Sequence, residues 1–248
     1  GRKYPVADQR VIKRTSVMRA ILLAAGLGTR LRPLTDVTPK CLMPIAGKPL
    51  LKIWLERLTE AGVGPFLINL HYLSEQVEEF VSHSDFSEQI ELVHEAELLG
   101  TAGTLINNID FFQGKDGLLI HADNYCLADF TAFLQAHKQR PSHCVMTMMT
   151  FRTDTPSSCG IVELDEKNVV TKFHEKVELP PGNLANGAIY ILSGELMEAL
   201  SGQFSDISDF STEVLPDLLG KIYAYETPEV FIDIGSQNSY EKAIQISR

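Results

Sequence analysis

VMRAILLAAGLGTRLRPLTDVTPKCLMPIAGKPLL, residues 17–51, opens with an apolar run from Ala20 to Ala25 and then breaks into Gly26-Leu27-Gly28-Thr29-Arg30. The run is short enough for a buried strand. A strand that ends in a glycine-rich turn points several backbone N–H groups the same way at the carboxyl edge of a sheet. Such a nest binds anions, phosphate most readily. From Gly26 to Lys52 the basic residues are Arg30, Arg32, Lys40, Lys48 and Lys52, and Asp36 is the only acid. The whole chain carries a formal net charge of -10. So concentrated a positive segment in an acidic chain points to a polyphosphate ligand.

At 248 residues the chain is long enough for one large α/β domain or at most two small ones. Its acidic balance argues against a nucleic-acid or anionic-membrane partner, whose binding would want a broad basic surface. Phosphate binding must therefore come from a local site. No apolar run approaches membrane-spanning length, and no charged-then-apolar leader opens the chain. Cys41, Cys126, Cys144 and Cys159 show no C-x-x-C spacing, so a reduced, cytoplasmic setting is expected. The seven histidines show no ligand spacing, which disfavours zinc.

Outward from the opening stretch, residues 1–16 are polar, mostly basic and without sustained periodicity, and read as an extension before a domain spanning 17–248. Leu50, Ile53, Trp54, Leu58 and Ala61 have helical spacing. A strand is predicted at Phe66–Leu70, a helix after Ser74 as N-cap, a strand at Ile90–His94 and a helix near Thr104–Ile109. Gly117 to Asp123 is another buried-strand pattern, followed by a helix from about Asp129 to Lys138 and a strand at Cys144–Met149. This alternation calls for a doubly wound, mainly parallel sheet. Beyond it, Gly160–Leu164 and Val169–Phe173 flank a turn and read as a hairpin. Strands at Gly187–Leu192, Lys221–Tyr225 and Val230–Ile234, helices at Glu195–Leu200 and Phe210–Leu219, and a final helix from Gln237 complete the pattern. A single domain with a mixed sheet is expected.

The glycine loop fits neither standard nucleotide motif: Leu31 stands where G-x-G-x-x-G needs its third glycine, and no Gly-Lys-Ser/Thr follows. A bare Gly-x-Gly is also common in purely steric turns. Thr29-Arg30 directly after the loop and Thr38-Pro39-Lys40 further on strengthen the phosphate reading. Arg30 offers a planar fork for phosphate oxygens and Lys40 a mobile point charge. Here the chain resembles the sugar-phosphate nucleotidylyltransferases. Their signature G-x-G-T-R-L-x-P-L-T-x-x-x-P-K-x-x-x-P is matched at every fixed position from Gly26 to Pro44. The resemblance implies a Rossmann-like, GT-A-like nucleotidyltransferase fold. It implies that Ala25, Gly26, Gly28, Thr29 and Arg30 hold a triphosphate, and that Lys40 contacts phosphate near the reacting phosphorus.

Asp123 stops a predicted central strand, where open α/β sheets bind ligands, although aspartate also caps turns there. By the resemblance it is a Mg2+ ligand, with Ala122 in place of the family's usual glycine. Phe231-Ile232-Asp233-Ile234-Gly235-Ser236 resembles the motif that supplies the second metal carboxylate, Asp233, with Ser236-Gln237 in place of Thr-Pro. Two carboxylates make an oxygen-rich site that suits Mg2+. Glu175-Lys176 and Asn186-Gly187 resemble the sugar-binding segment, with Val177 where proline is usual. The resemblance gives Lys176 the sugar phosphate, Glu175 the sugar hydroxyls, and Asn186 with Gly160 and Asn124 the rest of that pocket. Alone, Glu175-Lys176 reads as a surface pair.

Leu99-Gly100-Thr101-Ala102-Gly103 matches the family's L-G-T-A-G beside the nucleobase, so Gly100 and Thr101 are expected to bind nucleotide. Glu95-Ala96-Glu97-Leu98 precedes it, where pyrimidine-using relatives commonly place a glutamine. A carboxylate only accepts hydrogen bonds and suits the donors of guanine, which tilts the choice to GTP through Glu97, unless Glu97 is simply solvated. The expected reaction is Mg2+-dependent transfer of a nucleotidyl group from an NTP to a sugar 1-phosphate of mannose or heptose type. A UTP- or dTTP-using enzyme for glucose 1-phosphate or an amino-sugar 1-phosphate is the alternative. A non-catalytic nucleotide-sugar-binding regulator stays open as a different class, as does the formation of a homo-oligomer.

Overall fold

In the computed structural model, which describes residues 18–202 and 206–248, β1 (Arg19–Leu23) lies at the centre of a nine-stranded sheet. The predicted extension at residues 1–16 falls outside the described residues. On one side β1 pairs in parallel with β4 (Phe66–Leu70), which pairs in parallel with β5 (Ile90–His94). On the other it pairs in parallel with β6 (Gly117–His121). The glycine loop therefore leaves the sheet at the point where the chain winds away in both directions, the place where open α/β sheets bind ligands.

Next to β6 the rhythm changes. β11 (Leu184–Leu192) is antiparallel to β6, and β8 (Met146–Arg152) is antiparallel to β11, so β8 regains the first direction. β12 (Ile222–Glu226) is parallel to β8 and closes that edge. The hairpin β9 (Gly160–Leu164) and β10 (Val170–Glu175) attaches to the first half of β11 through Ala185↔Ile161. Between Asn186 and Tyr190 the β11 register shifts, with Ala188 at φ 54°. Two short ladders stand apart: β2 (Pro44–Ile45) with β3 (Lys48–Pro49), and β7 (Asn124–Cys126) with β13 (Phe231–Asp233).

Alternation along the strands sends side chains into two cores. Ala20 and Leu22 of β1 join the layer under α1 (Leu50–Glu60), α2 (Ser74–His83), α4 (Phe130–Lys138) and α7 (Gln237–Ile246). Ile21 faces the opposite layer with α3 (Thr101–Asn107), α5 (Gly194–Ser201) and α6 (Phe210–Glu213). The expected doubly wound, mixed sheet within one domain is what forms. Met146, Met148 and Met149 are fully buried in β8.

Some local expectations fail for identifiable reasons. Ser74 is the first helical residue of α2, not its N-cap; Leu73 takes that place in the left-handed region at φ 50° without a side-chain cap. The helix expected over Phe210–Leu219 stops at Glu213 and resumes as a 3₁₀ turn at Leu215–Leu218, because Pro216 has no N–H to continue the ladder. Residues Phe231–Asp233 pair only with β7 and do not enter the main sheet.

At the amino edge of the sheet, Asp116 accepts from Gly194 N at the start of α5 (2.9 Å) and from His137 Nε2 (2.8 Å). His137 is buried and its Nδ1 meets Thr147 Oγ1 at 2.7 Å. The hydrogen bond from His137 holds the Asp116 carboxyl below the usual carboxylate range, against the opposing effect of partial burial. A depressed carboxyl stabilises the fold above its unfolded value, about pH 4, and that contribution disappears as pH falls through the depressed value. Asp116→Asn should therefore lower stability at neutral pH and flatten its fall below about pH 4, as read by urea unfolding across pH 3 to 7.

Candidate active site

The chain turns that leave the carboxyl ends of β1, β4, β5 and β6 surround a cavity of about 230 Å³ lined by Ala25, Gly26, Lys40, Glu95, Thr101 and Asp123 among others. Gly28 sits at φ 62°, where a Cβ would lie 2.8 Å from Thr35 Cγ2, so the turn requires glycine. Thr35 Oγ1 donates to Gly28 O, and Tyr72 and Gln76 donate to the carbonyls of Thr35 and Val37. The first bond closes the excursion on itself, and the other two tie it to the connection after β4 and to α2. A Cβ on Gly26 would meet nothing within 4 Å, which leaves its backbone open to a ligand.

That excursion delivers Lys40 to the site. Its side chain is only 10% exposed, and its Nζ lies 3.0 Å from Asp123 Oδ2 and 3.9 Å from Asp233 Oδ1. The two aspartates meet because β7 and β13 pair antiparallel with Asp233 directly opposite Asn124, one residue beyond Asp123. Trp54 Nε1 donates to Asn124 O at 3.0 Å and holds β7 down on α1. Partial burial raises the Asp123 carboxyl, but the Lys40 charge and hydrogen bond outweigh it, and the net shift is downward. Asp123 is therefore ionised at neutral pH. Asp233 Oδ1 also accepts from Gly235 N at 2.8 Å. The guanidinium of Arg30 lies across Gly235, so closely that a Cβ there would fall 2.6 Å from Arg30 Nη2. Arg30, Lys40, Asp123 and Asp233 thus form one constellation around the glycine loop.

Two carboxylates on adjoining chain segments are hard oxygen donors that fit Mg2+. Among the described residues no group of three His, Cys, Asp or Glu side chains surrounds such a position. The remaining coordination would fall to ligand oxygens and water. Cys41 also lines the cavity, and burial pushes its thiol up to about 12, so it stays protonated and is no nucleophile. His121 Nε2 is buried and has no partner among the described residues; burial lowers its pKa.

Across β6 from the glycine loop, Glu175 ends β10 opposite Gly160. A Cβ on Gly160 would strike the Phe173 ring at 2.5 Å and Glu175 Oε2 at 3.0 Å, so glycine makes room for both. Lys176 follows in the left-handed region at φ 50°, its exposed ammonium 3.9 Å from Glu175 Oε1. Burial raises the Glu175 carboxyl, partly offset by Lys176. Asn186 donates to Tyr190 Oη at 2.7 Å and accepts from Ala188 N at 2.9 Å, so its amide is locked by the β11 bulge. Asn124 is buried and donates to His121 O.

Three residues expected at the nucleobase lie differently from one another. Glu97 is exposed and does not line the cavity. Gly100, at φ 80°, makes room for Ser208 O, which a Cβ would approach to 2.4 Å. Thr101 Oγ1 accepts from Phe210 N at 2.8 Å. Gly100 and Thr101 therefore line the cavity while also docking the segment before α6. Three buried polar residues of the cavity have no site role in the sequence reading: Asn69 at the end of β4, Glu95 just after β5 and Thr104 on α3. Glu95 lies within the motif-flanking stretch, but only strand pairing reveals that it, not Glu97, turns inward.

The profile of the nucleotidyl transferase family matches residues 19–247. The chain belongs to that family. It is 32% identical over 231 residues to the mannose-1-phosphate guanylyltransferase of Mycobacterium tuberculosis, covering 91% of this chain and 63% of that protein. It is 30% identical over 226 residues to the putative mannose-1-phosphate guanyltransferase of Sulfolobus acidocaldarius, covering 90% of this chain and 61% of that one. The chain thus spans a little under two thirds of these relatives' length. Among solved structures it resembles HddC from Yersinia pseudotuberculosis, with a TM-score of 0.79, 26% identity and coverage of 94% of this chain and 100% of the other. The same protein in complex with GMP-PN gives a TM-score of 0.78.

Gly235 lies outside the left-handed region, so alanine there disturbs no backbone geometry; its Cβ displaces the Arg30 guanidinium, at 2.6 Å, and presses on Asp233 Oδ1, at 3.0 Å. Gly235→Ala should keep the thermal midpoint of the parent while weakening pyrophosphate binding about tenfold, the scale of one charge-assisted contact. Calorimetric titration with pyrophosphate checks this.

Proposed function

We propose that this chain transfers a nucleotidyl group from an NTP, GTP by preference, to a sugar 1-phosphate of mannose or heptose type, forming a nucleotide sugar and pyrophosphate with Mg2+ as cofactor. The observation that carries the reading is the Lys40 ammonium between Asp123 and Asp233, with the Arg30 guanidinium beside it. This is a site built to neutralise a polyphosphate and a cation together. The guanylyltransferase names of the relatives and the GMP-PN complex of HddC support GTP.

In the proposed reaction an oxygen of the sugar phosphate bonds to the α-phosphorus of the NTP. The bridging bond to the β-phosphate breaks, and its electron pair leaves on pyrophosphate. The attacking phosphate is already ionised, so neither a general base nor a covalent intermediate is needed. The protein positions and neutralises. Arg30 and the open backbone of the glycine loop hold the triphosphate, and Lys40 meets the charge that grows on the transferred phosphoryl group. Lys176 clamps the sugar phosphate, while Glu175, Asn186 and Gly160 shape the sugar pocket. Mg2+, held by Asp123 and Asp233, would add charge neutralisation at the triphosphate.

Removing one well-placed group from developing charge costs about 3 kcal/mol, or roughly a hundredfold in rate. Asp123→Asn and Lys176→Ala should each lose turnover on that scale or more with the fold intact. Near-parental activity in either purified variant removes that residue from the mechanism. A matrix of NTPs against sugar 1-phosphates, read by pyrophosphate release, tests the substrates. Release with UTP but not GTP overturns the base assignment, and release with no pair favours a nucleotide-sugar-binding regulator.

A further inference from the structure

In the cavity wall a chain of hydrogen bonds joins the two parts of the proposed nucleotide site. Ala24, which leads into the glycine loop, donates its backbone N–H to Asn69 Oδ1 at 2.8 Å. Because a backbone N–H can only donate, this bond turns the other end of the amide, Nδ2, toward Glu95, whose Oε2 it meets at 3.0 Å. The same Oε2 accepts from Thr104 Oγ1 on α3 at 2.7 Å. Glu95 Oε1 accepts from the backbone N–H of Leu99 at 3.1 Å, the first residue of the L-G-T-A-G stretch. Asn69, Glu95 and Thr104 are 5%, 7% and 1% exposed, so water does not substitute for these partners. Parallel pairing of β4 with β5 sets the two side chains next to each other, with Glu95 N donating to Leu70 O.

We infer that Asn69 and Glu95 are positioning residues that fix the distance between the triphosphate loop and the base-side loop. The inference rests on the nucleotide reading of this cavity. The donor and acceptor directions are forced from Ala24 to Leu99, so an error at one end is passed to the other. Glu95→Gln leaves one acceptor oxygen where the parent has two. Turned to Asn69 and Thr104 it gives up Leu99 N, and turned to Leu99 it sets its nitrogen against Asn69 Nδ2, so one bond of the relay is lost either way. Asn69→Asp sets two carboxylates against each other. The swap N69D/E95Q reverses the middle bond, and the Thr104 hydroxyl proton, released from position 95, faces the carboxylate at position 69, where the parent amide nitrogen lies 3.4 Å away. The carboxylate introduced at position 69 accepts from Ala24 N and from the amide introduced at position 95. That amide's second hydrogen goes to Thr104 Oγ1, and its oxygen accepts from Leu99 N.

The test measures, for each single variant and for the swap, the affinity for a non-hydrolysable GTP analogue, both substrate KM values and the thermal midpoint. One frustrated buried bond should weaken analogue binding and raise the NTP KM about tenfold or more in each single variant, with the sugar-phosphate KM within about twofold of the parent. The swap should return analogue affinity to within about threefold of the parent, since coupled neighbours are not additive. Parental analogue affinity in the single variants overturns the inference. So does a swap that recovers the thermal midpoint but not analogue affinity, which is the result of a merely structural pair. If the parent chain itself binds no nucleoside triphosphate, the functional reading falls and the relay's role falls with it. Parental binding with unaffected single variants overturns the relay alone.

Discussion

One ammonium group holds together three parts of the chain that sequence keeps far apart. Lys40 reaches the site from the end of a long excursion, Asp123 from the end of β6, and Asp233 from the ladder between β7 and β13. Two carboxylates this close repel each other in a partly buried setting, and a cation between them removes that cost. The excursion itself has little regular structure: three short 3₁₀ turns linked by side-chain bonds to carbonyls. It is Lys40 at one end and β1 at the other that give it a fixed path. The glycine loop keeps its open backbone because its far end is moored in this way.

The sheet explains why these groups share an edge. β1, β4, β5 and β6 run parallel, so each ends on the same side, and the turns that follow them all contribute. The turn after β1 supplies the nest, the turn after β6 supplies Asp123, and the ends of β4 and β5 supply Asn69 and Glu95. Helices pack on both faces, which leaves the carboxyl edge as the place where a cavity can open. Asp116 and His137 hold the opposite edge through one mutual bond and through bonds to Gly194 N and Thr147 Oγ1. Chemistry and stability thus occupy different ends of the same strands.

Much of this is legible in the residues alone. The apolar run before Gly26 and the alternation of strand and helix mark the sheet, since burial on both faces leaves a plain signal in the residues. The meeting of Asp123 with Asp233 is legible only through the family pattern, because nothing local distinguishes either from an aspartate that caps a turn. The roles of Asn69 and Glu95 are not legible at all. They arise from side-by-side pairing of β4 and β5, and a single polar residue at a strand end carries no mark of what its neighbour will be. Glu97 draws attention by its position before L-G-T-A-G, yet the chain turns it outward after Glu95 turns in. The N-cap reading of Ser74 fails for a comparable reason: the left-handed turn at Leu73 starts α2 without needing a side-chain acceptor.

β11 enters the sheet against the direction of the strand beside it, so its beginning, not its end, arrives at the functional edge. The proposed acceptor side is accordingly made from the close of one hairpin and the opening of one reversed strand, joined by the mostly exposed stretch from Lys176 to Asn183. No strand that carries the nucleotide groups passes through that stretch. Lengthening, shortening or recolouring it would reshape the proposed acceptor pocket and leave the edge built from β1, β4, β5 and β6 as it is. In evolutionary terms the fold contains an interchangeable part: the connection from Lys176 to Asn183 can change in length and charge while the edge built from β1, β4, β5 and β6 is inherited whole.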